Sequence, residues 1–338
     1  MKKSVRNMVS MSLAAALLAG CSTSTSEESL LESNGKVEAS ETAQAKETRK
    51  ASPDGVDTTF IENKFLDVPY ASHSQAQKLD IYLPNEGEGP FPVIVAIHGG
   101  GFREGDKTGA DIAPMLEGVN RGYAVVAVNY RLSQEAFFPA AISDVKAAIR
   151  HVKANAEEYN LNPDKIAAWG GSAGGHLAAL AGTSGDSDAL KGNNRENINY
   201  TSEVQAVVDW YGQIDFLAID EQFANSGITP KLGERSAVDS PESKYLGRSL
   251  FEKTDEVKKA NPESYITEND PAFLIQHGIA DPNVPVQQSV NFAEKLKGVL
   301  GEDKVELNLL EGAVHGGEPF TSEENLEDVF TFLEETLK

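Results

Sequence analysis

Lys165-Ile166-Ala167-Ala168-Trp169-Gly170-Gly171-Ser172-Ala173-Gly174-Gly175-His176-Leu177-Ala178-Ala179-Leu180-Ala181 is the stretch that decides how this chain is read. Lys165 to Gly170 is a short, mostly apolar run of the kind that forms a strand buried on both faces. Gly174 to Ala181 has the small-residue make-up of a closely packed helix. Gly170-Gly171-Ser172-Ala173-Gly174 must therefore turn the chain from strand to helix. Such a turn pushes the serine into a crowded backbone conformation. Glycines two before and two after it let neighbouring chains pass closely. The serine oxygen is then held proud of the sheet end, at a helix N-terminus whose free N–H groups favour developing negative charge. A Gly-Ser-Gly pattern alone is common in turns. Its strand–turn–helix setting makes Ser172 a candidate nucleophile.

The rhythm extends on both sides. Leu79 to Leu83 alternates and stops at Pro84, as a half-buried strand does. Pro92–His98 and Tyr123–Asn129 are continuous apolar runs suited to parallel strands. Phe138 to Glu158 carries Ala141, Val145, Ala148 and Val152 at helical spacing. Val204–Trp210, Ala272–His277 and Lys304–Leu310 read as strands, and Ser289–Val299 and Asn325–Leu337 as helices. Alternating strands and helices predict a mostly parallel central sheet with helices on both faces. Between Phe216 and Tyr265 no strand pattern occurs, and this stretch is expected to be an insertion over the catalytic edge of the sheet.

A serine needs a base to take its proton, and the base needs a group to orient it. Of the six histidines, His315 follows the Lys304–Leu310 strand in a Gly-flanked loop, where α/β sheets place their chemistry. His73 precedes the sheet strands, His98 belongs to a glycine loop, and His151 lies mid-helix on a solvated face. His176 is expected to be packed or capped, and His277 to be structural at a strand end. Asp281 lies just past the Ala272–His277 strand, on the same edge as Ser172 and His315. Asp270 precedes that strand and belongs at the opposite edge. His98-Gly99-Gly100-Gly101-Phe102 lets backbone N–H groups converge without side chains in the way. Gly100 and Gly101, with Ala173, are the expected oxyanion donors. Gly99 remains open, because sequence does not fix the turn. Arg131 and Asp144 are read as a structural pair. Phe102, Trp210 and Tyr211 are candidates to face a sugar or aryl group, as are Phe137 and Phe138, with core packing the competing assignment.

Composition narrows the partners. Thirty Lys and Arg against 52 Asp and Glu give a net charge of −22, a poor match to nucleic acid or to an anionic membrane surface. The single cysteine, Cys21, allows neither an internal disulfide nor a thiolate zinc cage. There is no His-Glu-x-x-His sequence. No metal and no cofactor are expected.

Together, Leu79–Pro84, His98–Phe102, Asn129-Tyr130-Arg131-Leu132, Gly170–His176 and His277–Pro285 resemble the α/β-hydrolase superfamily, over residues from about Phe65 to Lys338. The order Ser172, Asp281, His315 is that superfamily's order. Within it the chain looks like the esterase/lipase group with an HGGG loop, and more narrowly like bacterial bifunctional acetylxylan/feruloyl carbohydrate esterases. The resemblance implies an α/β-hydrolase fold and a serine carboxylic-ester hydrolase acting through an acyl-enzyme. It also implies acetyl or feruloyl esters on polysaccharide, or other short-acyl esters, as substrates.

At the N-terminus, Lys2, Lys3 and Arg6 precede an apolar segment from Val9 to Ala19. That segment is too short to span a bilayer, for which about 20 apolar residues are wanted. Leu18-Ala19-Gly20-Cys21 resembles a bacterial lipobox. This implies a signal peptide over 1–20, a lipidated Cys21, and a polar tether over 21–57 that is too poor in apolar residues to fold. A flexible tether of about 36 residues spans roughly 30–35 Å. It would hold the catalytic domain, 58–338, outside the cell and clear of the headgroups. Two other roles fit some of these features. One is a serine peptidase of prolyl-oligopeptidase type, suggested by the Asp281–Pro285 loop. The other is a non-catalytic surface binding lipoprotein. Oligomeric state is not readable.

Overall fold

The computed structural model describes residues 55–185 and 187–338. The expected signal peptide, Cys21 and the expected tether as far as residue 54 lie outside the described residues.

Among the described residues eight strands form one sheet: β1 (Lys64–Pro69), β2 (Lys78–Tyr82), β3 (Phe91–Ile97), β4 (Ala124–Val128), β5 (Leu161–Gly171), β6 (Ala206–Trp210), β7 (Ala272–Gly278) and β8 (Val305–Leu310). Their spatial order is β1-β2-β4-β3-β5-β6-β7-β8. β3 to β8 are mutually parallel, and β2 runs antiparallel to both β1 and β4. Val95 stands level with Val126 of β4 and Ala168 of β5, so the apolar runs meet in the sheet centre. This is the α/β-hydrolase fold.

The two faces divide each central strand's side chains by alternation. Val93, Val95 and Ile97 pack under α2 (Ala140–Ala154), α3 (Ala173–Ser184) and α7 (Gln287–Leu300). Ile94 and Ala96 point the other way, into a core shared with α1 (Ala113–Leu116) and α9 (Glu323–Leu337). The terminal helix starts where Ser322 Oγ accepts the Asn325 N–H at 3.2 Å, a side-chain cap on an otherwise unpaired donor. Its Val329, Phe330, Leu333 and Leu337 are buried, at the spacing expected of one apolar face.

Residues 216–265 contain no strand. They hold three short helices, α4 (Ile219–Ser226), α5 (Pro241–Leu246) and α6 (Thr254–Lys258), followed by a 3-10 turn at Pro262–Tyr265. One more short helix, α8 (Glu318–Thr321), precedes α9. The insertion is tied to the loop after β7, because Lys231 N donates to Pro282 O at 2.8 Å and Arg235 Nη2 to Asn283 O at 2.9 Å.

Two sequence expectations need correcting, and one strand carries no sequence signal. His73 does not precede all the strands, because β1 comes before it. β1 itself (Lys-Phe-Leu-Asp-Val-Pro) shows no alternation, since it is an exposed edge strand with an irregular register between Phe65 and Val68. His151 is half-buried rather than solvated. Its ring tilts against Tyr159 at 6.4 Å, and burial lowers its pKa.

Candidate active site

β5 ends in the sharp turn expected from its glycines. Ser172 adopts φ 58° and ψ −122°, a conformation that is rare for a residue with a side chain. It is held there from both sides. Ser172 N donates to Trp210 O of the neighbouring strand at 2.9 Å, and Ser172 O accepts from His176 N at 2.9 Å in the first turn of α3. Gly174 is needed because a Cβ there would sit 2.1 Å from the Ile97 carbonyl oxygen. The strand-end carbonyls and the start of α3 thus touch backbone to backbone.

Parallel strands bring their C-terminal ends to one edge, and so the loops after β5, β7 and β8 converge. His315 Nε2 lies 2.9 Å from Ser172 Oγ, and His315 Nδ1 lies 2.7 Å from Asp281 Oδ2. With Nδ1–H donating to the carboxylate, Nε2 is left as the acceptor for the serine proton. Asp281 is fully buried. Its Oδ1 accepts the Asn283 and Val284 N–H groups at 2.7 and 3.0 Å. Burial alone would raise its pKa. Hydrogen bonds from His277 and His315 outweigh burial and hold the carboxyl well below the usual carboxylate range. Asp270, the rival acid, precedes β7 and caps the Thr267 turn at the other end of the strand.

His277 is more than a packed strand end. Its Nε2 lies 2.9 Å from Val284 O and 3.3 Å from Asp281 Oδ2, while its Nδ1 lies 2.6 Å from Ser289 Oγ. The network assigns the Nε2–H tautomer, with Ser289 donating to Nδ1. His277 therefore fixes the loop that carries Asp281 and faces the same carboxylate oxygen as His315. The sequence hint was its place four residues before Asp281, at the end of the same strand.

The glycine loop after β3 curls over Ser172. Tyr130 Oη donates to His98 O at 2.9 Å, and the His98 ring stacks on Tyr130 at 4.4 Å. Carbonyls 98 and 99 are thereby turned toward Tyr130 and His98 Nδ1. Gly99, Gly100 and Gly101 line the cleft. Gly99 N–H is already taken, donating to Asp111 Oδ2 at 2.7 Å. Gly100 and Gly101 have φ of 100° and 58°, and their amides meet no acceptor among the described residues. Ala173 contributes the first amide of α3. Asp111 was not foreseen. It sits in a 3-10 turn with no motif around it, and burial raises its pKa.

The aromatic candidates separate. Phe102 is wholly buried and stacks on Tyr245 at 4.0 Å. Its φ of 62° turns the ring away from the cleft, so it is a core residue and not a substrate contact. Trp210 borders the cleft, but only 2% of it is exposed, and its ring packs on Trp169 and Phe320. Tyr211 does line the cleft, with its ring 4.6 Å from the His315 ring. Burial and the Asp111, Asp281 and Asp209 carboxylates push its phenol pKa well up, so it stays neutral. Arg131 donates from N, Nε and Nη2 to a buried Asp144, as a structural pair does. His176 is also buried, with Nδ1 2.6 Å from Gln213 O. Burial lowers its pKa to about 4 and keeps it neutral.

The cleft above Ser172 holds about 300 Å³, with Met115, Leu232 and Pro241 among its walls. Among the described residues no group of three or more His, Cys, Asp or Glu is placed to hold a metal. A hydrogen-bonded hydroxyl, imidazole and carboxylate beside unpaired glycine-loop amides can carry out nucleophilic acyl transfer.

Comparison with known proteins gives a consistent picture. The BD-FAE family model matches residues 79–296. A probable carboxylic ester hydrolase, LipM of Mycobacterium tuberculosis, is 34% identical over 69% of this chain and 52% of its own length. The chain spans about half the length of the curated relatives it matches first. A truncated carbohydrate esterase from gut microbiota superposes with a TM-score of 0.73 at 32% identity, covering 84% of this chain and 99% of that one. A bifunctional GH43-CE protein of Bacteroides eggerthii gives a TM-score of 0.73 at 34% identity, covering 81% of this chain and 35% of that one.

Proposed function

Because the chain belongs to the BD-FAE family, we propose that it is a serine-dependent carboxylic-ester hydrolase acting on short-acyl esters, those carried by carbohydrate among them. The observation that carries this reading is the hydrogen-bonded chain from Ser172 through His315 to Asp281, with distances of 2.9 and 2.7 Å. In this mechanism Ser172 Oγ attacks the ester carbonyl as its proton passes to His315 Nε2. Asp281 holds the imidazole tautomer and balances the positive charge that forms. The Gly100, Gly101 and Ala173 amides receive the oxyanion. His315 then protonates the departing alcohol. Water, deprotonated by His315 in turn, releases the acid from the acyl-serine.

The short-acyl preference is supported by the lining of the cleft, where Met115, Trp210 and Leu232 are interrupted by Arg103, Gln213 and Arg235, so that a long chain meets no continuous apolar channel. The carbohydrate side is supported by the likeness to two carbohydrate-esterase structures. The test is hydrolysis of p-nitrophenyl acetate, p-nitrophenyl octanoate, methyl ferulate, acetylated xylan and a peptide p-nitroanilide by wild type and Ser172→Ala. Serine-dependent turnover of acetate, ferulate or xylan but not octanoate is expected. Cleavage of the anilide alone would replace this reading with a peptidase, and no turnover of any probe would leave a binding role.

We further propose that the domain acts at the cell surface, held by a lipid on Cys21. The support is the charged, apolar and Leu-Ala-Gly-Cys order of residues 2–21. Metabolic labelling with a fatty acid is expected to mark the wild-type protein and not Cys21→Ala. Equal labelling of both would refute the anchor.

A further inference from the structure

Beside the catalytic cleft lies a second, larger and open groove of about 800 Å³, between the glycine loop and the insertion. Arg103 and Glu104 line both cavities, so the two are neighbours across one short wall. The proposed acyl transfer uses nothing in this groove. Its other lining side chains include Gln134, Lys244 and Arg248, and they are rich in hydrogen-bonding groups. Arg103 is half-buried, and its Nε has no partner among the described residues.

Two exposed apolar side chains interrupt these polar groups, Val238 and Phe137, and of the two Phe137 offers a flat ring. Phe137 is 57% exposed. Its ring is seated against the bare backbone of Gly247, where an added Cβ would lie 2.5 Å from ring carbons Cγ and Cδ2. Gly247 has φ of 70° and closes α5, so the backbone there suits glycine and no side chain covers the ring from that side. The ring is thereby propped from behind and left open to the groove.

We propose that this groove is a subsite for a pyranose chain, with Phe137 as the platform for one sugar ring. This rests on the reading that Ser172 removes acyl groups from carbohydrate. A pyranose has a C–H-rich face and a rim of hydroxyls. The face matches an exposed aromatic ring, and the rim matches Arg103, Gln134 and Lys244. A long acyl chain would instead need walls that are apolar throughout. The arrangement divides the labour: the small cleft takes the acyl group, and the large groove takes the sugars next to the one that bears it. Phe137 then determines preference for polymeric over small esters.

The test uses the full chain and has two arms. In the first, unacylated xylotetraose and cellotetraose are titrated calorimetrically into wild type, Phe137→Ala and Phe137→Trp. Saturable binding of at least one sugar is expected, weakened about five- to tenfold by alanine and restored by tryptophan. In the second, kcat/KM for an acetylated xylo-oligosaccharide is divided by kcat/KM for p-nitrophenyl acetate. This ratio should fall by a similar factor in Phe137→Ala and recover in Phe137→Trp. A general loss of folded protein would lower both rates and leave the ratio unmoved. No sugar binding to wild type, or binding and ratio both indifferent to Phe137→Ala, overturns the proposal. Failure of the esterase reading is separate: it would show as absence of serine-dependent p-nitrophenyl acetate hydrolysis, whereas the first arm needs no catalysis.

Discussion

Replacing Gly174 with alanine places a methyl carbon 2.1 Å from the Ile97 carbonyl oxygen and 2.9 Å from that of His98. Carbon and oxygen settle no closer than about 3.3 Å. The start of α3 must therefore retreat from the end of β3 by about 1 Å, because neither carbonyl is on a flexible side chain. That retreat carries Ser172 and the Ala173 amide away from His315 and the glycine loop. A misplacement of about 1 Å costs roughly 100-fold in rate. The crowding itself should cost about 1–3 kcal/mol of stability. Gly298 provides the matched control. It lies in α7, and a Cβ there meets nothing within 4 Å, so Gly298→Ala should raise stability by about 0.5–1 kcal/mol. The assay is p-nitrophenyl acetate hydrolysis together with urea unfolding for both variants. A Gly174→Ala protein that keeps kcat/KM within about twofold of wild type would refute the argument that backbone contact at this turn positions the nucleophile.

Three other outcomes are expected. Asp281→Asn should lower kcat by about 10⁴-fold with little change in KM, because an amide cannot accept from the two histidine N–H groups and the two backbone N–H groups together. Steady-state kinetics checks this, and a loss below about tenfold would contradict the assigned tautomer. Asp111→Ala frees the Gly99 N–H and loosens the glycine loop. It should reduce kcat by about tenfold and KM much less, and an effect on KM alone would mean that Asp111 contacts substrate instead. Asp209 is wholly buried, and burial pushes its pKa from 3.8 up to about 6, against a hydrogen bond from Gly212. Between those values the folded state holds a proton that the unfolded chain has released. The stability tied to that proton is present below pH 3.8 and is lost as pH rises through 6. Asp209→Asn removes that loss, so the variant should gain on wild type by about 2 kcal/mol between pH 4 and pH 7. Urea unfolding at both pH values measures it, and a pH-independent difference would contradict the assignment.

Much of the site could be read from the sequence because its chemistry sits at strand ends. Ser172 is marked by flanking glycines that the turn physically requires. His315 and Asp281 are marked by following the last two strands, which parallel pairing brings to one edge. What could not be read depends on contacts between distant segments. Asp111 reaches Gly99 from a short 3-10 turn that no periodicity announces. Phe102 follows the glycines and looks like a wall of the cleft. A positive φ at Phe102 itself turns it inward against Tyr245, which comes from the insertion. β1 escaped because an exposed edge strand has no buried face to impose alternation. The insertion could be located by its lack of strand pattern. Its path could not, because short helices such as α5 take their places from tertiary bonds like Phe138 N to Tyr245 O.

Trapping the acyl-enzyme tests the central claim most directly. The protein would be mixed with p-nitrophenyl acetate, quenched in acid within the first turnover, digested and analysed by mass spectrometry. The account predicts a burst of nitrophenol and one acetyl group on the peptide containing Ser172, both absent in Ser172→Ala and both strongly reduced in His315→Ala. Hydrolysis with no acetylated Ser172 peptide, or a burst that survives Ser172→Ala, would contradict it.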